Sequence, residues 1–272
     1  MANEGSQGEF VILDTTVLTG VQNISFSQNT SEDQINLLGN EFAGTNVFNP
    51  TSTSVNITKS LVNNDIITTL TGKAISGQFI YGDNILAFST GFIQSYSMSA
   101  TVGEVPTIDC EIEIFGDLSG THMDESRLYG GPSNDTVLES GVVEIPQTGI
   151  QVTIDKSSLN SVQSIVYTEE YSHDPIYTVG SLVPQVITNA LPVAQQIDVS
   201  FDVEEYTMES KTGSLATTTN RNRDISLEIF DTTGRLQNFE LFKGHLVSES
   251  LNTNVANGAR ANISYRGYKK KT

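Results

Sequence analysis

The sequence predicts a mainly β, mostly antiparallel protein built from two tandem copies of one domain. Three observations point there. Apolar residues recur at every second position in several segments, the period of a strand buried on one face. Ser, Thr and Asn make up 80 of the 272 residues, types that favour strands, turns and caps over helix interiors. A stretch of the first half also returns, in order, in the second.

Along the chain, Met1 to Gly8 is polar and Gly-containing, with neither the basic region nor the apolar run of an export signal, so residues 1–19 read as an N-terminal arm. Ile24 and Phe26, then Val55 and Ile57, give short alternations. Between them Ser31-Glu32-Asp33-Gln34 has capping-box spacing with Gly39 as a possible stop, which fits a short helix or a structured loop equally well. Asp65 to Gly77 is a further weak helix candidate. The clearest strand runs through Ile108, Cys110, Ile112 and Ile114, interleaved with Asp109, Glu111 and Glu113. Val152 and Ile154 form another short echo. Leu182 to Ala194 is a third weak helix candidate, shortened by Pro184 and Pro192. Ile197, Val199, Phe201 and Val203 alternate, as do Ile225, Leu227 and Ile229, and finally Ile263 and Tyr265. Turn chemistry at Tyr81-Gly82-Asp83-Asn84 and Asp231-Thr232-Thr233-Gly234 makes antiparallel hairpins of the neighbouring strands.

The repeat begins where Val21-Gln22-Asn23-Ile24-Ser25-Phe26 matches Val162-Gln163-Ser164-Ile165-Val166-Tyr167, an offset of 141 residues. It continues through Asp33 and Asp174, Ile35 and Ile176, and Gly39 and Gly180, then after one inserted residue through Val55 and Ile197. Gly91, Ile93, Ser95 and Met98 match Gly244, Leu246, Ser248 and Leu251, and Ile112 and Ile114 match Ile263 and Tyr265. Ordered matches of this kind indicate a duplicated unit of ordinary domain size. The division that follows is an arm at 1–19, a first domain at 20–117, a linker or arm at 118–159 and a second domain at 160–272. Gly130-Gly131-Pro132 is the strongest break in the linker, and the polar stretch Glu204 to Arg223 reads as a long exposed loop.

Charge and chemistry narrow the function. The formal net charge is −18, which opposes a grip on nucleic acid because phosphate affinity comes from Lys and Arg. No apolar run approaches membrane-spanning length, so no membrane partner is expected. The single Cys110 cannot close an internal disulfide and sits in the buried phase of its strand, the place of an inert thiol. His122, His173 and His245 fall in no catalytic or zinc motif. Glu111 and Glu113, and the pairs Glu169-Glu170 and Glu204-Glu205, read as solvated faces. Asp117-Leu118-Ser119-Gly120 and Asp124-Glu125 lack the ligand spacing of a calcium loop. Phosphate-binding glycine loops are missing, and Lys269-Lys270-Lys271 could touch an acidic neighbour or keep the terminus soluble, the second being the favoured reading. The expectation is a non-enzymatic protein with no catalytic, cofactor-binding or metal site.

With Val21 to Phe26 followed by Ile35-Asn36-Leu37-Leu38-Gly39, and Phe92-Ile93-Gln94-Ser95-Tyr96-Ser97-Met98 leading into the Ile108 strand, the chain resembles the tail tube proteins of tailed bacteriophages. The likeness covers about the first 117 residues and, through the repeat, the second half. It implies a β-sandwich or barrel with a short flanking helix, assembled into rings that stack into a tube for DNA. Two fused domains in one chain imply a trimer with pseudo-sixfold symmetry. The expected partners are further copies of the chain, other tail or baseplate proteins and DNA in transit without specific binding. The expected location is the virion tail, after synthesis in the host cytoplasm. A baseplate hub or distal-tail ring is the neighbouring reading, and a carbohydrate-binding or adhesin β-sandwich is the reading from another class. For assembly contacts the sequence offers two loops, represented by Met123, Arg127 and Tyr129 in the linker and by Met208, Arg221 and Arg223 in the second domain.

Overall fold

The computed structural model describes residues 10–30, 32–35, 45–48, 51–61, 65–81, 84–115, 118, 145–146, 148–159, 161–179, 181, 184–203, 223–232, 234–254 and 258–269. Nearly all of them are antiparallel strand. In order these are β1 (Phe10–Leu13), β2 (Thr16–Leu18), β3 (Val21–Asn29), β4 (Glu32–Ile35), β5 (Thr45–Phe48), β6 (Ser52–Ser60), the one-turn α1 (Ile67–Leu70), β7 (Ile75–Tyr81), β8 (Asn84–Thr101), β9 (Thr107–Ile114), β10 (Ile150–Ile154), β11 (Ser157–Leu159), β12 (Val162–Ile176), β13 (Val186–Val203), β14 (Arg223–Phe230), β15 (Arg235–Asn254) and β16 (Gly258–Tyr268).

Pairing order repeats along the chain. In the first set the neighbours run β2-β1-β7-β8-β9-β6-β3, and in the second β11-β10-β14-β15-β16-β13-β12, each strand antiparallel to the next. The registers agree as well: Val11 faces Leu18 and Phe79, as Val152 faces Leu159 and Leu227. Small devices recur with them. Asp14 and Asp155, both at positive φ, turn the first hairpin of each set. Asp14 Oδ1 then accepts the Ser76 amide at 2.8 Å, and Asp155 Oδ1 accepts that of Asp224 at 3.1 Å. The hairpins β1-β2 and β10-β11 lie in the stretches that the sequence assigns to an arm and a linker, yet both are built into the sheet.

The two sets meet where β12 adds to β8, so a 14-stranded sheet runs through the molecule. It curls on itself: Phe26 of β3 meets Phe79 of β7 edge to face at 5.0 Å, though neither strand is bonded to the other. Inward residues of both sets share one hydrophobic core, including Val55, Ile57, Ile93, Ile108, Ile112, Ile197, Val199, Leu227 and Ile263. The Ile108 to Ile114 alternation is buried on its apolar phase, and Cys110 lies in it as expected.

Helix expectations need correcting. Glu32 to Ile35 is the strand β4, paired with β5 from Glu32–Phe48 to Ile35–Thr45, because a partner strand overrides a local capping pattern. Leu182 to Ala194 contributes the start of β13; Pro192 sits where the β12–β13 register shifts, a place that needs no ladder amide. Asp65 to Gly77 supplies only the turn α1 before β7 begins. Both sequence-predicted hairpins are present: Tyr81 pairs with Asn84, and the Asp231 amide donates to the Gly234 carbonyl at 2.9 Å.

Candidate assembly interface

The β8–β12 ladder runs from Thr101 opposite Ser164 to Ser95 opposite Glu170. Alternation divides it into two faces. Tyr96, Met98 and Ala100 point inward beside Glu169, Tyr167 and Ile165, and all six are buried. Phe239 of β15 closes over them, stacked on Tyr167 at 4.0 Å and tilted against Tyr96 at 6.1 Å. Aromatic pairs of this kind add about 0.5–1.5 kcal/mol each beyond the area they bury.

A buried carboxylate stands at the end of this packing. Glu169 accepts the hydroxyl hydrogens of both Tyr167 and Tyr171, and Gln195 Nε2 donates to its Oε1 at 2.9 Å and to the Tyr167 oxygen at 2.7 Å. Lys269 Nζ lies 2.9 Å from Oε2 and also donates to Tyr171 and Thr71. Burial alone would raise the Glu169 carboxyl, but the Lys269 charge and the donated hydrogen bonds outweigh it and hold the group below its ordinary value. Burial and the Glu169 charge push both tyrosines far above theirs. The cluster is a fixed ionic tie, and its phenols stay protonated.

This corrects the sequence reading of Glu169-Glu170 as one solvated face. Glu170 is exposed, whereas Glu169 falls in the inward phase Ile165, Tyr167, Glu169, Tyr171. That phase was the available signal. Lys269 takes the less favoured of its two sequence readings, since it touches an acidic neighbour, Glu169. A fully buried ion pair joins Lys59 of β6 to Asp65 ahead of α1 at 3.0 Å, with both side chains almost fully enclosed.

Outward residues form the other face. One register line crosses the sheet through Thr58, Asp109, Ser97, Thr168, Gln196 and Arg266, and the next through Asn56, Glu111, Ser95 and Glu170. Thr58 donates to Asp109 at 2.7 Å, and Arg266 to Gln196 at 3.0 Å. Burial, with Glu111 alongside, raises the Glu113 carboxyl above its usual value. The face is mostly small and polar, acidic on β9, and it continues over the β8–β12 junction, where Val166 opposite Ser99 is an apolar position.

A cleft of about 400 Å³ opens beside the junction, lined by Thr71, Tyr171, His173, Asn189, Pro192 and Lys269. Lys269 is engaged by Glu169, and the His173 ring rests 4.9 Å from Phe92 with neither nitrogen hydrogen-bonded. Neither His173 nitrogen is therefore hydrogen-bonded to a hydroxyl of the cleft. Among the described residues no three His, Cys, Asp or Glu side chains gather to hold a metal, and no helix is long and apolar enough to cross a membrane. Burial also pushes the Cys110 thiol far up, which makes it a poor nucleophile.

Of the assembly residues expected from sequence, Met123, Arg127, Tyr129, Met208 and Arg221 lie outside the described residues. Arg223 opens β14, and its guanidinium holds Asp155 of the same chain at 3.1 Å, across the β10–β11 turn. No protein-family model matches the chain, and no curated protein sequence does.

Proposed function

We propose that this chain is a structural virion protein, the tail tube subunit of a tailed phage, which forms stacked rings around a passage for DNA. The observation that carries the reading is the largely polar face that continues from the first strand set to the second through the β8–β12 ladder. A lumen for DNA must not hold its cargo. Small hydroxyl and amide side chains with carboxylates on β9 give a wall that repels phosphate, in keeping with the −18 charge of the chain.

Two further points support it. The sequence resembles tail tube proteins in the segments that become β3, β8 and β9. The recurring pairing order also fits a duplicated tube domain, so that three chains would supply six equivalent sheets. In this reading the segments holding Met123, Arg127, Tyr129, Met208 and Arg221 join neighbouring rings.

Electron microscopy of negatively stained protein over a concentration series, with light-scattering mass alongside, tests the proposal. Hollow tubes, or rings with a mass that is a multiple of three chains, are the expected result. Rings that never stack would reassign the chain to a hub or distal-tail position, and a monomer at every concentration would overturn the assembly reading. The Arg221→Ala/Arg223→Ala double variant is expected to shorten or destabilise tubes while leaving single rings intact.

A further inference from the structure

Each strand set carries one strand edge whose counterpart is occupied inside the chain. On one side β8 bonds β9; on the other it bonds β7 as far as Gly91 and then β12 from Ser95 to Thr101. Its counterpart β15 bonds β16 on one side and β14 on the other as far as Gly244. Beyond Gly244 that second side meets no described strand. Likewise β12 lies between β13 and β8, whereas among the described strands its counterpart β3 bonds only β6.

The correspondence is fixed residue by residue. Met98 faces Ile108 as Leu251 faces Ala261, and the two ladders slip register at the same place, between Ile93 and Ser95 and between Leu246 and Ser248. Phe26 faces Val55 as Tyr167 faces Ile197, with matching slips between Val21 and Asn23 and between Val162 and Ser164.

We propose that the β15 edge Ser248 to Asn254 of one chain pairs antiparallel with the β3 edge Asn23 to Asn29 of a second copy, in the register of the internal β8–β12 ladder. The proposal deepens the ring reading by naming partner and register, but it rests on strand pairings and holds whether or not the assembly is a tail. Met98 opposite Tyr167 becomes Leu251 opposite Phe26, and Ser99 opposite Val166 becomes Asn252 opposite Ser25. Inside the chain Met98 and Tyr167 are 0% and 1% exposed; Leu251 and Phe26 are 38% and 39% exposed. The pairing would cover both.

Composition fits the same occupant. Natural sheet edges are kept from pairing by charge, Pro or bulges. Asn23 to Asn29 contains no charged residue, Ser248 to Asn254 contains only Glu249, and neither contains Pro. In a chain of net charge −18, two nearly uncharged edges can approach without strong repulsion. The register also sends Ser25, Ser27, Ser250 and Asn252 outward, so it continues the polar face, whereas a slip of one residue would put Phe26 and Leu251 on opposite faces. The contact is head to tail, and repeated it closes a ring or extends a filament.

Site-directed cross-linking tests it. Full-length Ser25→Cys and Asn252→Cys chains, mixed and mildly oxidised, are expected to form a disulfide-linked dimer that neither gives alone; the buried Cys110 stays silent. The off-register mixture of Ser25→Cys with Thr253→Cys should link at least ten-fold less. Leu251→Lys changes an exposed side chain and Phe26→Lys also gives up the edge contact with Phe79, so each variant is first shown by circular dichroism to keep the sheet signal, and association should then weaken at least ten-fold. Equal linking in and out of register, or no linking at all, overturns the pairing. Rings that survive both lysine variants overturn the pairing and leave the tube reading standing. In-register linking without rings or tubes does the reverse.

Discussion

Lys269 Nζ lies 2.9 Å from Glu169 Oε2, tying the last described residue of the chain to the strand that joins the two halves of the sheet. The charge of Glu169 thus depends on a residue one hundred positions away. Its folded value is held below the ordinary 4.5, so its stabilising effect is complete above that pH and is lost as pH falls through the folded value. Lys269→Met removes the leading opposing influence, while the Tyr167 and Tyr171 hydrogen bonds to the carboxylate remain. The folded value then rises toward the unfolded one, and the acid-dependent part of the stability shrinks. Urea unfolding from pH 7 to pH 3.5 should show a loss of about 1–3 kcal/mol at pH 7 and a shallower acid limb in the variant. Equal acid limbs in wild type and Lys269→Met would refute this account, and Glu169→Gln supplies the baseline.

Lys59 and Asp65 present a sterner case, because neither reaches solvent. Lys59→Met leaves an uncompensated buried carboxylate and is expected to cost about 3–5 kcal/mol in denaturant unfolding. The double variant Lys59→Met/Asp65→Leu should recover most of that loss. Additive losses would mean that the two side chains do not act as a pair.

His173 is pushed below its ordinary value by burial against Phe92, an effect that Asp174 only partly opposes. As pH falls through about 6.5 the unfolded chain takes up a proton that the folded chain resists, so stability declines with acidification. Melting temperatures at pH 7.5 and pH 5.5 should differ less for His173→Phe than for wild type. An unchanged difference would show that the imidazole titrates without strain.

A Cβ added to Gly77 would lie 2.2 Å from the Phe88 ring, and one added to Gly91 would lie 2.7 Å from it. In the second set Ile225 takes the place of Gly77 and Leu241 that of Phe88, a trade of volume between neighbours on adjacent strands. Gly77→Ala should therefore cost about 1–3 kcal/mol by overpacking, and Phe88→Leu in the same chain should relieve part of it. Thermal unfolding of the two single variants and the double gives the coupling directly; strict additivity would reject it.

These relationships mark how far the sequence could be read. Strands such as Ile108 to Ile114 and Ile225 to Ile229 announce themselves because one face is buried and the other wet, which leaves period two in the letters. The first part of β13 does not, since Val186 and Leu191 are both exposed and no burial pattern forms. Residues 32–35 carry local helix-start chemistry, and only β5, ten or more residues away, makes them a strand. The repeat was legible from matched residues, yet β1, β2, β10 and β11 escaped it because strands of three to five residues hold too few matches. The Glu169 cluster needed both the inward phase of β12 and the return of the chain end, and no local window contains the second.

The order of synthesis gives the β8–β12 ladder a further consequence. Thr101 is made well before Ser164 to Glu170, its side of the junction being the earlier. At a translation speed of roughly 5–20 residues per second, the upper stretch of β8 waits about 3–14 s for its partner. During that interval the nascent first half exposes the apolar side chains of Tyr96, Met98 and Ala100 beside an open edge. Crowded polysomes would then favour premature pairing between neighbouring nascent chains, and slowed elongation between codons 101 and 170 should raise the insoluble fraction.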